Sequence, residues 1–388
     1  MGLSNARLKE FAQAKLADLE KLDLRRELAD TARFSGGKIH RSAKKLISFS
    51  CNDYLGLTHH PDVIKASQEA TQTFGTGSGG SRLVSGNNPL NSQLEALLSK
   101  IKGTEDAVIF GSGYLANVGV IPSLVGRDDL ILIDELSHSC LFAGAKLANA
   151  NIIPFKHRDT TEVSNLLSTH RKLFRHCLVL TDGVFSMDGD IAPILELHEL
   201  CEKNGAWLMT DDAHGLGVIH EGRGSSIVDG YEVPVPLQVG TLSKAVGAYG
   251  GYLCANREIT ELMRNRARSL MYTTALPPGT LAAAIAALKI IDTNIELTNR
   301  PLAFARLFSD FLSLEPPESP IVVIQLGNPE RTIKASKWLE EQGYLAVAIR
   351  PPTVPEGTSR LRCTFSATHT QDQVYDFAKK VQKILEKK

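Results

Sequence analysis

Short apolar runs of four or five residues alternate along this chain with longer segments whose apolar residues recur at helical spacing. Two of these helical segments cover residues 91–100 and 194–203. Because strands separated by helices need crossover connections, the alternation predicts an α/β fold with a mainly parallel sheet covered on both faces. The ligands of such sheets bind at the carboxyl ends of strands. The apolar runs span 46–50, 107–110, 130–134, 177–181, 206–210 and 251–255.

Both ends of the chain depart from this pattern. The N-terminal segment predicts an amphipathic helix, followed by a basic arm at 33–45. From about residue 290 onward, apolar runs and helical patterns are typical of a smaller α+β unit. We therefore expect an N-terminal helix and arm (1–45), a large domain (46–289) and a small C-terminal domain (290–388). The apolar residues of the first helix are Leu8, Phe11, Leu16, Leu19 and Leu22.

Charge and cysteine content exclude several classes of protein. The 388 residues include 43 Lys plus Arg and 43 Asp plus Glu, and a neutral chain is not suited to coating nucleic acid or an anionic membrane. No apolar run approaches the roughly 18 residues of a membrane span, and the N-terminus lacks the apolar core of a secretory signal. The six cysteines form no CxxC pair. Free thiols in the cytoplasm are therefore expected, rather than a disulfide scaffold or a metal site.

Two acids and a histidine directly follow the apolar run at 206–210, namely Asp211, Asp212 and His214. A carboxylate at a strand end can neutralise a protonated heteroaromatic nitrogen, and a nearby imidazole can reach a neighbouring oxygen of the same ring. Taken alone, the segment is more typical of a solvated loop with two ordinary acids.

Lys244 lies among small residues in the segment 239–251. Exposed lysines usually have polar neighbours, so this lysine is expected in a tight cleft, where burial lowers an amine pKa and favours Schiff-base formation. Thr241, three residues earlier, is placed to bind a phosphate. A structural lysine in a Gly-rich loop explains this segment equally well on its own.

Two further strand ends carry candidate ligand contacts. Gly111 and Gly113 stand between a predicted strand and a helix, where backbone N–H groups can approach an anion, and Tyr114 can lean over a flat ligand. The full GxGxxG fingerprint is absent, which disfavours a dinucleotide site. His138 begins the helix after the 130–134 run, either as an ordinary helix-start residue or as a group that stacks on a ring.

Together these signals supply a phosphate cradle, a stacking group, a carboxylate for a ring nitrogen and a lysine for a Schiff base. They fall at the strand ends of one predicted sheet. This set of groups is what binding of pyridoxal 5′-phosphate (PLP) requires.

Eight ordered segments resemble the α-oxoamine synthase family of fold-type I PLP enzymes over essentially the whole chain. The resemblance implies a transferase with a large, mainly parallel domain and a smaller C-terminal domain. The segments are NDYLGL (52–57), GSGGSRLVSG (77–86), GSGYLAN (111–117), DGVFSMDGD (182–190), DDAHGLGV (211–218), GTLSKAVG (240–247), YTTALPP (272–278) and IRPPTVPEGTSRLR (349–362).

The resemblance also implies roles for the cofactor-binding residues. Lys244 would form the Schiff base with PLP, and Asp211 would pair with the ring nitrogen. His214 would contact the ring hydroxyl, and His138 would stack on the ring, which completes a catalytic set of four residues. The remaining implied cofactor residues are Gly113, Tyr114, Ser186, Thr241 and, from a neighbouring subunit, Thr274.

On the substrate side, the resemblance implies that Arg350 binds a substrate carboxylate through its planar fork. Asn52, His138 and Thr353 would line the substrate site. Either Arg25 or Arg26 would meet the far carboxylate of a dicarboxylic acyl chain, and the local sequence does not decide between them.

The reaction implied by the resemblance is a decarboxylative condensation of a small amino acid with an acyl thioester. The residues around 211–224 most resemble the biotin-pathway branch, which joins L-alanine to a pimeloyl thioester carried by coenzyme A or an acyl carrier protein. A shared active site would require a homodimer. The alternatives are the same chemistry with glycine and acetyl-CoA or succinyl-CoA, a nucleotide-binding oxidoreductase, and a PLP-binding protein without activity.

Overall fold

The computed structural model describes residues 3–21, 24–25 and 28–386. The helices are α1 (Leu3–Lys21), α2 (Pro61–Phe74), α3 (Pro89–Lys102), α4 (Gly113–Leu124), α5 (Ser139–Ala148), α6 (Thr160–His170), α7 (Ile194–Asn204), α8 (Arg257–Arg266), α9 (Arg268–Met271), α10 (Pro278–Thr293), α11 (Ile295–Phe311), α12 (Pro329–Glu341) and α13 (Gln371–Glu386). The strands are β1 (Thr31–Arg33), β2 (Lys38–Arg41), β3 (Lys44–Ser48), β4 (Asp106–Phe110), β5 (Leu130–Asp134), β6 (Asn151–Phe155), β7 (Cys177–Asp182), β8 (Trp207–Asp211), β9 (Ile227–Val228), β10 (Tyr231–Glu232), β11 (Leu237–Thr241), β12 (Gly251–Ala255), β13 (Ile321–Gly327), β14 (Tyr344–Leu345), β15 (Val347–Ile349) and β16 (Ser359–Thr364).

The central sheet of the described chain has seven strands in the order β4-β12-β11-β8-β7-β5-β6. Neighbouring strands are parallel except around β12, which runs antiparallel to both β4 and β11. Every residue of β5, β7, β11 and β12 is buried, as expected for strands covered on both faces. The predicted α/β fold with a mainly parallel sheet is confirmed.

Helices cover both faces of this sheet, and β5 shows how its residues divide between them. Ile131 and Ile133 pack in the cluster that includes α4 and α5, whereas Leu130 and Leu132 pack in the cluster that includes α6 and α7. Because successive strand residues point to opposite faces, an unbroken apolar run serves two cores at once.

The C-terminal part of the chain forms a separate antiparallel sheet in the order β13-β16-β15. The apolar run at 46–50 belongs to this region: β3 pairs with β14 rather than with the central sheet. The physical reason is the burial of Phe49, whose ring stacks on Phe377 of α13 at 3.9 Å between centroids. β3 begins at Lys44, so it straddles the boundary at 45/46 that the sequence predicts.

The predicted N-terminal helix is present as α1, and its described side chains are exposed, including Leu8 and Phe11. Leu22 of the predicted apolar stripe lies outside the described residues. Within 3–21, 24–25 and 28–386, no helix combines the length and apolar character that crossing a membrane requires.

The fold places five strand ends at one edge of the sheet. β5, β7, β8 and β11 are parallel, and β4 runs in the same direction because β12 is antiparallel to both β4 and β11. Their carboxyl ends therefore open together, as the strand-end rule predicts for a ligand site.

Candidate active site

A cavity of about 260 Å³ lies at this edge of the central sheet. It brings together eight of the residues that the sequence analysis selected, from five different strand ends or the loops that follow them. The cavity is lined by Ser112, Gly113, Tyr114, His138, Cys140, Asp182, Val184, Ser186, Asp211, Ala213, His214, Thr241, Ser243 and Lys244.

Lys244 reaches this cavity from the loop after β11. Burial lowers the pKa of its amine, while the nearby carboxylates of Asp211 and Asp182 act in the opposite direction. Among the described residues, Nζ has no hydrogen bond or ion pair. The loop packs closely enough on Thr58 that a Cβ at Gly247, where φ is +69°, would lie 2.7 Å from the Thr58 backbone nitrogen. The amine is thus held in a tight cleft and is free to react.

Asp211 ends β8 and stands beside Asp182, its register partner at the end of β7. Both are buried. The carboxylate of Asp211 accepts hydrogen bonds from Asn117 Nδ2 at 2.6 Å and from the Ala213 backbone N–H at 3.0 Å. Burial, and then the charge of Asp211, raise the pKa of Asp182 well above its ordinary range. Of the two carboxyl groups, Asp182 is therefore the one whose environment favours the protonated form.

The neighbouring Asp212 points away from the cavity into a buried ion pair. Its Oδ2 accepts from Lys102 Nζ at 2.8 Å, and both side chains are 1% exposed. Asp212 also accepts from the Ser225 backbone N–H at 3.1 Å, and Lys102 donates to the Arg223 carbonyl at 2.7 Å. Of the two adjacent aspartates, Asp211 therefore lines the cavity and Asp212 stabilises the surrounding structure.

His138 begins α5 and also lines the cavity. It is the N-cap of α5, where its Nδ1 accepts from the Cys140 backbone N–H at 3.3 Å. Its backbone N–H donates to Asp182 Oδ1 at 3.0 Å, and its ring lines the cavity. Burial lowers the pKa of the imidazole, which favours a neutral ring. Hydrogen bonds thus fix both the backbone N–H and the Nδ1 atom of His138. A neutral aromatic ring held in this way is suited to stacking on a flat ligand.

His214 is held by a chain of donors behind the cavity. Its Nδ1 lies 2.7 Å from the hydroxyl of Tyr54, and Arg362 donates to that hydroxyl at 3.4 Å. Burial, together with the charges of Lys244 and Arg362, lowers the pKa of His214 well below its ordinary value. The Tyr54 hydroxyl also donates to Asn52 Oδ1 at 3.4 Å, so Tyr54, Asn52 and Arg362 together hold the imidazole of His214 in place.

The start of α4 forms an anion cradle opposite these groups. The Ser112 side chain caps the helix by accepting from the Leu115 backbone N–H at 3.1 Å. A Cβ at Gly113 would lie 3.1 Å from Thr241 Cβ, so glycine allows the helix start to approach the loop after β11. Thr241 Oγ1 and Ser243 Oγ are 2.8 Å apart. Free N–H groups of a helix start and two hydroxyls together suit a phosphate.

Comparison with protein families adds to this geometry. Residues 44–381 match the model of the aminotransferase class I and II family. The chain belongs to this family.

Members with assigned names resemble the chain over nearly its full length. An 8-amino-7-oxononanoate synthase from Beijerinckia indica is 55% identical over 371 residues, covering 96% of each chain. An 8-amino-7-oxononanoate synthase from Granulibacter bethesdensis is 53% identical over 378 residues, covering 97% of this chain and 98% of its own.

Solved structures of family members superpose closely. Serine palmitoyltransferase from S. paucimobilis, with a bound PLP–myriocin adduct, gives a TM-score of 0.91 at 30% identity over 98% of both chains. An 8-amino-7-oxononanoate synthase from Francisella tularensis gives 0.75 at 26% identity over 88% of this chain and 98% of its own. The predicted resemblance to fold-type I PLP enzymes is confirmed.

The structure places the remaining selected residues outside the cavity. Thr274 pairs with Ser81 in an isolated β-bridge. Asn52 accepts from Arg362 at 3.2 Å, and Arg25 donates to Glu20 in α1 at 3.1 Å. Arg350, at the end of β15, and Thr353 are not among the cavity-lining residues. Arg26 lies outside the described residues. The roles of all these residues stay predictions.

Four residues that the sequence analysis did not select stand in or directly behind the site of this family member: Tyr54, Asn117, Asp182 and Arg362. Three of them lie inside the segments NDYLGL, GSGYLAN and DGVFSMDGD, and the fourth lies in RLR at 360–362. The signal that marks them is a polar residue within an apolar or Gly-rich segment. Their contacts join residues that are distant in sequence, and no local pattern shows those contacts.

Proposed function

We propose that the protein is a PLP-dependent acyltransferase that condenses L-alanine with a pimeloyl thioester. The products are 8-amino-7-oxononanoate, CO₂ and the free thiol carrier, which is a step of biotin biosynthesis. The cavity around Lys244 carries the cofactor part of this proposal. The relatives at 53–55% identity, matched over almost the whole chain, support the choice of substrates.

The cavity fits PLP in charge and in shape. The start of α4 at Gly113, with Thr241, would hold the phosphate. The buried Asp211 carboxylate would pair with the ring nitrogen, and His138 would stack on the ring. Lys244, a buried amine without a partner among the described residues, would attach the cofactor. The structures of serine palmitoyltransferase that hold PLP support this assignment.

Bound PLP supplies an electron sink for the α carbon of an amino acid. Lys244 Nζ, with its pKa lowered by burial, acts as the base that takes the Cα proton and later returns one. Asp211 keeps a proton on the ring nitrogen. His214 would contact the ring oxygen, and Tyr54 holds the imidazole in position from behind.

The substrate contacts would come from the C-terminal strands and from the segment 52–54, together with His138. Arg350 would bind the carboxylate of alanine, with Thr353, Asn52 and His138 lining the site. Arg25 or Arg26 would meet the far carboxylate of the pimeloyl chain.

Arg362 is a second candidate for the alanine carboxylate. It is 7% exposed and donates to both Asn52 and Tyr54. Tyr54 in turn contacts His214, which lines the cavity. A guanidinium already held near the reacting atoms loses less freedom on binding than a more exposed one.

Assembly and location complete the proposal. Exposed apolar residues, including Leu83, Val84 and Tyr272, flank the bridge between Ser81 and Thr274, and a homodimer would cover them. Thr274 would then contribute to the phosphate site of the partner subunit. The six unpaired cysteines are consistent with the cytoplasm.

A turnover panel tests this function. The purified protein, supplied with PLP, is offered L-alanine, glycine or L-serine with pimeloyl-CoA, pimeloyl-acyl carrier protein, acetyl-CoA or succinyl-CoA, and thiol release is measured. L-alanine with a pimeloyl thioester should exceed the glycine pairs by at least about tenfold in kcat/KM, the discrimination that one methyl group supplies. The Lys244→Ala variant is the control and should release no thiol. A preference for glycine with a short acyl-CoA would overturn the choice of substrates.

A further inference from the structure

Asn117 connects three parts of the site from the second turn of α4. Its side chain is completely buried, and Nδ2 donates to Asp211 Oδ2 at 2.6 Å. The same nitrogen lies 3.2 Å from the Gly113 carbonyl and 3.1 Å from Cys140 Sγ. One amide group thus spans the anion cradle, the carboxylate at the end of β8 and the first turn of α5.

The orientation of this amide is decided by its neighbours. Both oxygen atoms near Nδ2, on Asp211 and Gly113, are acceptors only, so the opposite orientation would bring oxygen against oxygen. The Asn117 Oδ1 atom has no hydrogen-bond partner among the described residues. A buried amide normally satisfies both ends, and here one end is left without a partner while the other faces the carboxylate.

We propose that Asn117 is a positioning residue that holds the Asp211 carboxylate in the orientation required to pair with the ring nitrogen of the cofactor. The inference rests on the proposed function and adds a residue to its machinery. The two carboxylate oxygens of Asp211 have different partners. Oδ1 accepts a hydrogen bond from the Ala213 backbone N–H, whereas Oδ2 accepts from Asn117, with the Cys140 thiol at 3.9 Å as a weaker contact.

Loss of the Asn117 amide has a defined consequence. Without this amide, Asp211 Oδ2 keeps only the Cys140 thiol contact at 3.9 Å, so the carboxylate is no longer held towards the ring nitrogen and pairs less well with its proton. The ring nitrogen should then lose its proton at lower pH. Since the electron sink depends on that proton, kcat should fall, while KM for alanine, which depends on other residues, should not change.

The experiment uses holoprotein reconstituted with PLP that carries ¹⁵N in the ring. The ring ¹⁵N chemical shift is followed with pH in wild type, Asn117→Leu and Asn117→Ala, of which the second is the milder change for folding. The matched control is Ser123→Ala. Ser123 lies on the same helix and makes a similar bond to the carbonyl four residues earlier, at 2.7 Å to Gly119, but has no contact with Asp211.

In the Asn117 variants, the pH midpoint of ring deprotonation should fall by about one unit or more, corresponding to tenfold weaker retention of the proton. Ser123→Ala should match wild type. Midpoints within about 0.3 unit of wild type in the Asn117 variants would overturn the inference alone. A wild-type protein that takes up no PLP would overturn the proposed function together with the inference.

Discussion

Two adjacent aspartates show that the chemistry of this site is set residue by residue. Asp211 opens into the cavity, whereas Asp212 is sealed in an ion pair with Lys102. The same side chain, one position apart on an alternating strand end, meets a different environment because successive side chains point in opposite directions. Asp211 is accessible to a ligand in the cavity, whereas Asp212 and Lys102 hold the loop at Arg223 and Ser225.

Asp211→Asn should therefore leave the fold intact and remove at least about 1.5–3 kcal/mol of charge-assisted bonding to the ring nitrogen, lowering kcat tenfold or more. Asp212→Asn should do the reverse. It leaves the Lys102 ammonium without its buried counter-charge and should cost about 3–5 kcal/mol of unfolding free energy. Urea unfolding and steady-state kinetics of both variants measure these effects. A stable Asp212→Asn protein with lost activity would contradict this division.

The two arginines of the C-terminal segment allow a second comparison between residues. Arg350→Lys should raise KM for alanine several-fold with PLP binding unchanged, because lysine keeps the charge but loses the planar fork. Arg362→Lys serves as the matched variant, twelve positions further along the chain. If Arg362→Lys alone raises the alanine KM, the carboxylate belongs to Arg362 and the role predicted for Arg350 is wrong. Initial rates at varied alanine concentration decide between them.

At the scale of elements, the site residues that the sequence predicts are those marked by the few residues next to them in the chain. Asp211 directly follows an apolar run and His138 begins the helix after another, so the strand-end rule selects both without knowledge of the fold. Lys244 is marked by the small residues around it. Asn117 contacts a residue 94 positions away, and Arg362 contacts one 308 positions away. Nothing within a short window records such contacts, because they depend on how the sheet orders its strands.

The same distinction explains why the sequence does not predict the pairing partner of β3 or the direction of β12. The runs of β3 and β12 are apolar and short, like those of the parallel strands. Their partners nevertheless differ: β3 joins the C-terminal region, and β12 is antiparallel. Periodicity shows that a strand is buried but does not specify its neighbour or its direction.

A histidine links β5 to the loop after β7 and gives a prediction about pH. Burial alone would lower the pKa of His157, but hydrogen bonds to Asp134 at 3.1 Å and Asp190 at 2.8 Å raise it to about 10. Because the folded pKa is raised above the ordinary value of 6.5, the stabilisation is complete below about pH 6.5 and is lost as pH rises to 10.

His157→Asn should accordingly lower the urea midpoint most at pH 6 and progressively less towards pH 10. His176 offers a matched control, because its ring stacks on Trp207 and its imidazole is not bonded to a carboxylate in the described part of the chain, so His176→Asn should give a difference from wild type that changes little over this range. A constant difference for His157→Asn as well would mean that its ion pairs contribute no stability.

On the scale of the whole molecule, the placement of Thr274 makes the question of assembly testable. Thr274 does not line the cavity of its own described chain; it lies in the bridge with Ser81, beside the exposed side chains of Leu83, Val84 and Tyr272. In the proposed homodimer, a second subunit would cover both this apolar surface and Thr274.

Subunit mixing distinguishes a shared site from a self-contained one. Thr274→Ala should bind PLP more weakly, and Lys244→Ala should be inactive. If Thr274 serves the partner subunit, a mixed dimer of the two variants has one site with both changes and one site with neither. Activity at limiting PLP should then rise when inactive Lys244→Ala subunits are added to Thr274→Ala and allowed to exchange. If Thr274 serves its own subunit, no mixed site is intact, and the added subunits should leave the activity unchanged or lower.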